Sequence, residues 1–372
     1  MATIAALPLR RVDIARTSTA VPLIVGLAGT LLSWFGSGWD VSWHRMFGRD
    51  TFWSTPHLFI YVGVALWGVA ALIATATALA GRPIRGRALV LGPLRAELGL
   101  ALIGIGALVT IMAGPFDNLW HSLFGRDVDI WSPPHLAGIA GGAIGLLGWV
   151  AATARGVFPI DDRLRRLLRL FTLGNLCAIS VFALNFYYVT SVAREAFFYP
   201  LLVSALVPAT LAIATIALPG RWAATSAALA YTVIALLGYG LLAASGWRPP
   251  AFPSLVLAGA LAIDLLRARG GRAAHPLALG LGFAVAFVAA ELARMLLFAP
   301  PVPTSALGGA EPRLTALFFQ YYEQAVARPW LSLWPLGAAA LGAPLAAASW
   351  LVGRWIAVPL AEDLHSEALA NP

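Results

Sequence analysis

This chain of 372 residues has a single cysteine, and charged residues make up only 11% of it. Lysine is absent, so every basic side chain is an arginine. The lone Cys177 excludes an intrachain disulfide and a thiolate-based metal centre; it falls in an apolar run, where its role is packing. Soluble globular domains carry about a quarter of their residues as charges. The shortage of charge here, with 60% hydrophobic residues and a mean hydropathy of +0.80, excludes that class. The chain reads instead as an all-α, polytopic integral membrane protein. A formal net charge of +8 does not point to nucleic acid, because the arginines flank apolar runs and form no soluble basic domain.

Apolar runs occur at about 20–39, 57–81, 96–116, 135–154, 168–189, 198–218, 222–245, 251–266, 275–299 and 330–353. Each is near the ~20 residues that a bilayer core requires, which predicts about ten transmembrane helices. The arginines cluster in every second connection: Arg10, Arg11 and Arg16; Arg82, Arg85, Arg87 and Arg95; Arg155, Arg163, Arg165, Arg166 and Arg169; Arg267, Arg269 and Arg272. Cytoplasmic loops retain positive charge during insertion, so both chain ends are predicted in the cytoplasm of a bacterial inner membrane. The basic N-terminal segment precedes an apolar run as a signal peptide would, but no small-residue cleavage site precedes Trp39-Asp40, so the run is expected to stay as the first helix. The chain divides into an N-terminal segment (1–19), a four-helix unit (20–154), a basic loop (155–169), a six-helix region (170–354) and a C-terminal tail (355–372).

What the chain does contain is one motif written twice. Asp40–Leu58 (DVSWHRMFGRDTFWSTPHL) returns as Asp117–Leu136 (DNLWHSLFGRDVDIWSPPHL), with one inserted residue before the second tryptophan. Both copies fall on the predicted external side, and they hold four of the chain's six histidines. Each offers two imidazoles and a carboxylate, a recurrent ligand set for non-haem iron, copper or zinc. The candidate ligands are Asp40, His44 and His57 in the first copy and Asp117, His121 and His135 in the second.

The spacing has a geometric meaning. Asp40 and His44, like Asp117 and His121, are four residues apart and share a helix face if the outgoing helix continues through them. Ser54-Thr55-Pro56 and Ser132-Pro133-Pro134 carry the start signals of a returning helix, a hydroxyl cap followed by proline. His57 and His135 then sit in first turns, where the helix dipole disfavours imidazolium and keeps a lone pair for a metal. The competing reading makes these residues hydrated polar caps. Recurrence at matched spacing in so charge-poor a chain favours the metal.

Phe47-Gly48-Arg49-Asp50 and its copy read as a turn, with the glycine in a conformation other residues avoid. Arg49 and Asp50, with Arg126 and Asp127, either pair within that turn or orient the histidines from outside the ligand set. Trp43, Trp53, Trp120 and Trp131 read as interfacial anchors. A parallel repeat of this kind is commonly related by a pseudo-two-fold axis along the membrane normal, which brings the two motifs together.

Other polar residues in the apolar runs are few. Glu291 and Arg294, three residues apart, form an intramembrane pair that is either structural or a second polar site. Asp264 reads as interfacial beside Arg267, and His275 and His365 as isolated cytoplasmic residues. Tyr187, Tyr188, Arg194 and Glu195, with Tyr321, Tyr322 and Glu323, fall on the external side, and 300–329 is the longest external connection, a candidate cap.

Asp-x3-His-x12-His in Asp40, His44 and His57, set within Trp-His-x4-Arg-Asp-Thr and Thr-Pro-His, resembles the metal-binding segment of the C subunit of copper membrane monooxygenases, enzymes that oxidise methane, ammonia or short hydrocarbons. Asp117, His121 and His135, with x3 and x13, match that subunit's neighbouring site in the same order. The resemblance covers roughly residues 35–140. It implies one or two copper ions, with zinc or iron as other occupants, and activation of dioxygen to hydroxylate a small apolar substrate. It also implies partner membrane subunits or a second copy, and an electron donor. Two features depart from the family: Asp117 stands where an amide is usual, and nothing here resembles the soluble cupredoxin domain of its partner subunit. The second class of function is a carrier or transporter of copper or zinc using the same ligands; the third is a purely structural membrane subunit.

Overall fold

The protein is seen here as a computed structural model, which describes residues 14–47, 51–79, 88–91, 94–124, 132–153, 158, 160–187, 198–247, 254–298 and 333–365. Tyr188, Arg194, Glu195, Tyr321, Tyr322, Glu323 and the stretch 300–329 lie outside the described residues. Ten α-helices occur among those described: α1 (Ile14–Phe47), α2 (Thr55–Leu79), α3 (Leu98–Phe124), α4 (Pro133–Ala152), α5 (Asp162–Tyr187), α6 (Phe198–Ala217), α7 (Ala223–Ala244), α8 (Val256–Arg269), α9 (Pro276–Phe298) and α10 (Trp334–His365).

Among the described residues, α1, α2, α3, α4, α6, α7, α9 and α10 each contain a stretch long and apolar enough to cross a membrane. The expectation of ten crossing helices is met at these eight among the described residues. With 14 residues, α8 is only about 21 Å long at 1.5 Å per residue, short of a bilayer core of ~30 Å. The first two turns of α5 carry Asp162, Arg163, Arg165, Arg166 and Arg169. The all-α expectation holds, with one short antiparallel strand pair, β1 (Ala88–Leu91) and β2 (Leu94–Glu97), just before α3, in register Ala88↔Glu97 and Leu91↔Leu94.

The segment 155–169, read as a basic loop, is helical from Asp162 onward. Asp161 Oδ1 accepts the Leu164 N–H at 2.7 Å and so caps the new helix. Two of its arginines are buried. Arg165 donates to Thr153 O (2.8 Å) and Ile160 O (3.0 Å); Arg169 donates to Thr153 O (3.0 Å), Thr153 Oγ1 (3.0 Å) and Ala217 O (2.9 Å). The last carbonyls of a helix lack intrahelical donors and carry the negative end of its dipole. These guanidinium groups satisfy the C-terminal ends of α4 and α6 together. Asp264, expected at the interface, is fully buried and does the converse for α7: it accepts from Ala224 N (3.4 Å), Thr225 N (2.8 Å) and Thr225 Oγ1 (2.8 Å), with Arg267 Nη1 at 3.3 Å.

The first four helices pack as two antiparallel hairpins, α1 with α2 and α3 with α4. Glycines set their closeness. A Cβ at Gly29 would stand 2.4 Å from Gly63 O, and one at Gly106 would stand 2.5 Å from Gly141 O and from Gly145 N. With no hydrophobic force between helices in lipid, such small-residue contacts let backbones approach and provide the packing attraction. Hairpin joins hairpin along α2 and α3, where Gly104 faces Ala71, Gly68 faces Ala107 and Gly114 faces Tyr61. That antiparallel register puts the end of α1, the start of α2, the end of α3 and the start of α4 at one end of the unit.

Two hydrophobic clusters fill the interior. One joins Trp67, Ile103, Trp149 and Val150 to Leu173 of α5 and Ile213 of α6; the other joins Cys177 of α5 and Leu211 of α6 to Tyr231, Ile263, Phe283, Phe287 and Trp350. The pair α5 and α6 is thus the shared wall between the first four helices and the rest, and Cys177 is core, as the sequence predicts.

Candidate metal centre

The helix read as ending near residue 39 runs on to Phe47, and α3 likewise runs to Phe124. This extension carries Asp40 with His44, and Asp117 with His121, onto one helix face each. Proline opens the returning helices: Pro56 is the second residue of α2, and Pro133 and Pro134 begin α4. His57 and His135 therefore stand in first turns, directly across from the two aspartates.

In the first triad, Asp40 Oδ1 lies 3.3 Å from His57 Nε2 and 3.8 Å from His44 Nε2. In the second, Asp117 Oδ2 lies 3.1 Å from His121 Nε2, and Asp117 Oδ1 lies 3.4 Å from His135 Nε2. Within each triad one ligand atom from every residue lies within 4.8 Å of the others. Donors held ~2.1 Å from a common tetrahedral ion are about 3.4 Å from one another, so the carboxylate–imidazole separations already have the size that an ion demands.

Proton bookkeeping points the same way. His57 Nδ1 is 3.1 Å from Thr51 O. A carbonyl only accepts, so Nδ1 carries the hydrogen and, in the neutral ring, Nε2 presents a lone pair. That lone pair faces Asp40 Oδ1, which is buried with no hydrogen-bond partner. Two acceptors in contact repel unless a proton on Nε2 or a metal cation stands between them. Asp117 Oδ1 is buried and without a hydrogen-bond partner in the same way. The residues present therefore fit a divalent ion in each triad.

The serine expected to cap α4 plays another part. Ser132 makes no side-chain cap bond; its hydroxyl is 2.9 Å from His135 Nδ1, so it orients the ring from the side opposite the ligand atom, the usual place for a supporting group. The two triads differ in exposure: the His135 side chain is 33% exposed, against 14% to 17% for His44, His57 and His121. Between them stands Tyr61, with its ring 5.7 Å from that of His57 and against Gly114, one turn before Asp117.

Arg49, Asp50, Arg126, Asp127 and Trp131 lie outside the described residues. Of the tryptophans read as anchors, Trp53 is 70% exposed, as an anchor would be. Trp43 instead joins a cluster of rings with Phe47 and Trp247.

Glu291 and Arg294 form a buried ion pair. Sequence reasoning missed what surrounds it. Glu291 Oε1 accepts the Leu255 N–H at 2.9 Å, Tyr231 Oη accepts the Ser254 N–H at 3.0 Å, and Tyr199 shares a hydrogen bond with Ser254. The pair thus anchors the start of the short α8 through Leu255, the residue just before its first turn. Among the described residues, the groups of His, Cys, Asp and Glu able to hold a metal are the two triads, and this cluster is not one of them.

No family model matches the chain, and neither a curated protein nor a solved structure does.

Proposed function

We propose that this chain is a membrane copper protein that holds one ion in each triad and activates dioxygen to hydroxylate a small apolar substrate or ammonia. The observation that supports it is the pair of matched triads, each with a buried aspartate oxygen set against imidazole nitrogens at the separation an ion demands. Asp40, His44 and His57 would hold one ion, and Asp117, His121 and His135 the other. Copper bound by two imidazoles and a carboxylate, with a position left open, supplies one-electron and oxygen chemistry. The chain's own groups do the rest. Thr51 O and Ser132 Oγ fix the far side of two of the rings, and the exposed apolar residues Phe47 and Leu58 give a lipid-dissolved substrate a surface to approach by.

In this reading the two hairpins are related by a pseudo-two-fold axis, the triads face the periplasm, and the electron donor is a partner subunit or a membrane reductant. Arginine distribution supports the orientation. A cysteine introduced at Arg126 is expected to react with an impermeant thiol reagent in intact cells, and one at Arg85 is not. Cys177 is fully buried, so the native thiol leaves the background silent; the opposite labelling pattern overturns the orientation.

The second reading is a carrier that captures copper or zinc, and the exposure of His135 favours it at the second triad. Oxygen consumption separates the two. With protein in native lipid, a quinol reductant and a short alkane or ammonia, the enzyme reading expects oxygen uptake and an oxygenated product, both lost in His121→Ala. Metal hand-over to a chelator without oxygen uptake, across several alkanes and ammonia, ends the oxygenase reading.

A further inference from the structure

Among the described residues, Trp247 of the six-helix region stands against the aromatic side chains beside the first triad. Helix α7 ends in Ala244-Ser245-Gly246-Trp247. Gly246 has φ +80°, the left-handed conformation that glycine adopts without penalty. The Gly246 N–H bonds to Ala243 O (3.1 Å) and the Trp247 N–H to Leu242 O (2.9 Å). These two bonds with a left-handed glycine constitute a Schellman motif, which turns the chain back and brings the residue after the glycine beside the helix's own last turn. Leu242 faces α1 at Gly38, where an added Cβ would meet its Cδ1 at 3.4 Å. Trp247 is thereby aimed at the same part of α1.

What it meets there are aromatic side chains next to the ligands of the first triad. The Trp247 ring stacks on Trp43 at 5.8 Å and 21°, and meets Trp39 edge-on at 5.4 Å and Phe47 at 5.9 Å. Trp39 and Trp43 are the residues immediately before Asp40 and His44. Trp39 also meets Phe59 at 5.4 Å, and Phe59 lies two residues after His57. The aromatic cluster therefore ties both legs of the first triad to α7. The second triad has a different neighbourhood. Trp120, which matches Trp43 in the motif, makes its ring contacts among the described residues with Phe116 and Phe124 of its own helix.

We propose that Trp247 is a positioning residue for the first triad: α7 clamps Asp40, His44 and His57 into ligand geometry, and the first site binds its ion more tightly than the second, whose Trp120 stacks within its own helix among the described residues. The six-helix region thus acts on the metal chemistry as a clamp on one of two similar sites. This rests on the metal-binding reading above. Aromatic pairs add stabilisation beyond area burial, and groups that orient ligands change metal affinity when removed.

The test isolates each site in the full chain in lipid nanodiscs. His121→Ala/His135→Ala leaves the first triad, and His44→Ala/His57→Ala leaves the second; each is titrated with buffered copper(II) and zinc(II). In the first background Trp247→Ala is expected to weaken binding roughly ten- to hundred-fold and to change the copper spin-resonance spectrum, with Trp247→Phe restoring most of both. In the second background Trp247→Ala is expected to leave affinity and spectrum unchanged. Equal weakening in both backgrounds, or lowered thermal stability with unchanged affinity at the first site, makes Trp247 ordinary packing and overturns the proposal. If neither background binds copper or zinc while Trp247 is intact, the metal reading itself falls.

Discussion

With His44 and His57 both replaced by alanine, the protein is expected to insert and fold as before and to lose the metal of the first triad alone, so that metal content falls by about half, one ion per three-ligand site. The fold tolerates the change because neither imidazole is core: the two side chains are 17% and 15% exposed, and alanine is the best helix former. The loss is expected to be complete at that site, since a single remaining carboxylate gives a hydrated ion little reason to stay. Adding His121→Ala and His135→Ala should bring content to background. Elemental analysis per protein, with spin resonance to read copper, decides the matter. Unchanged content in the double variant would leave these histidines as polar helix-end groups and nothing more.

The legible part of this site is the part written in local spacing. Asp-x3-His is an i,i+4 pair wherever a helix runs through it, and Ser-x-Pro-His places a histidine in a first turn, so all six candidate ligands could be set on helices before any fold was known. Recurrence of the pattern then paired the two sets. Composition gave the helical, membrane-type architecture for the same reason: apolar runs carry their own signal.

The features that escaped are those decided by distant partners. Arg165 and Arg169 belong to a cluster that composition alone reads as a cytoplasmic loop, yet the C-terminal carbonyls of α4 and α6, up to 48 residues away along the chain, draw them inside. Asp264 looks like a boundary residue beside Arg267 until α7 presents its open amides to it. Ser132 has the sequence of a cap, but its hydroxyl bonds to His135 Nδ1 instead of an α4 amide. The strand pair β1–β2 was hidden in the arginine-rich connection between two apolar runs, although Leu-Val-Leu-Gly-Pro-Leu sets a Gly-Pro turn signal between apolar residues. Trp247 carried no signal at all, since its meaning depends on α7 lying against α1.

The ion pair in α9 makes the other large prediction. Replacing Arg294 by methionine leaves the Glu291 carboxylate, 6% exposed, with its bond to the Leu255 N–H but without the guanidinium that pairs it. Stranding one partner of a buried pair costs about 3–5 kcal/mol, because the remaining charge is neither hydrated nor compensated. Replacing both partners removes the charge problem. Glu291→Gln keeps an oxygen for the Leu255 N–H, so the double variant Glu291→Gln/Arg294→Met is expected to return to within about 1 kcal/mol of the parent, as apolar replacements of buried pairs commonly do. Unfolding in mixed micelles, followed by tryptophan fluorescence, measures both. Near-parental stability of Arg294→Met alone would mean that the pair does not hold α8 in place. A double variant as unstable as the single one would mean that α8 depends on the charges themselves, and that the intramembrane pair, like the triads, is kept for more than packing.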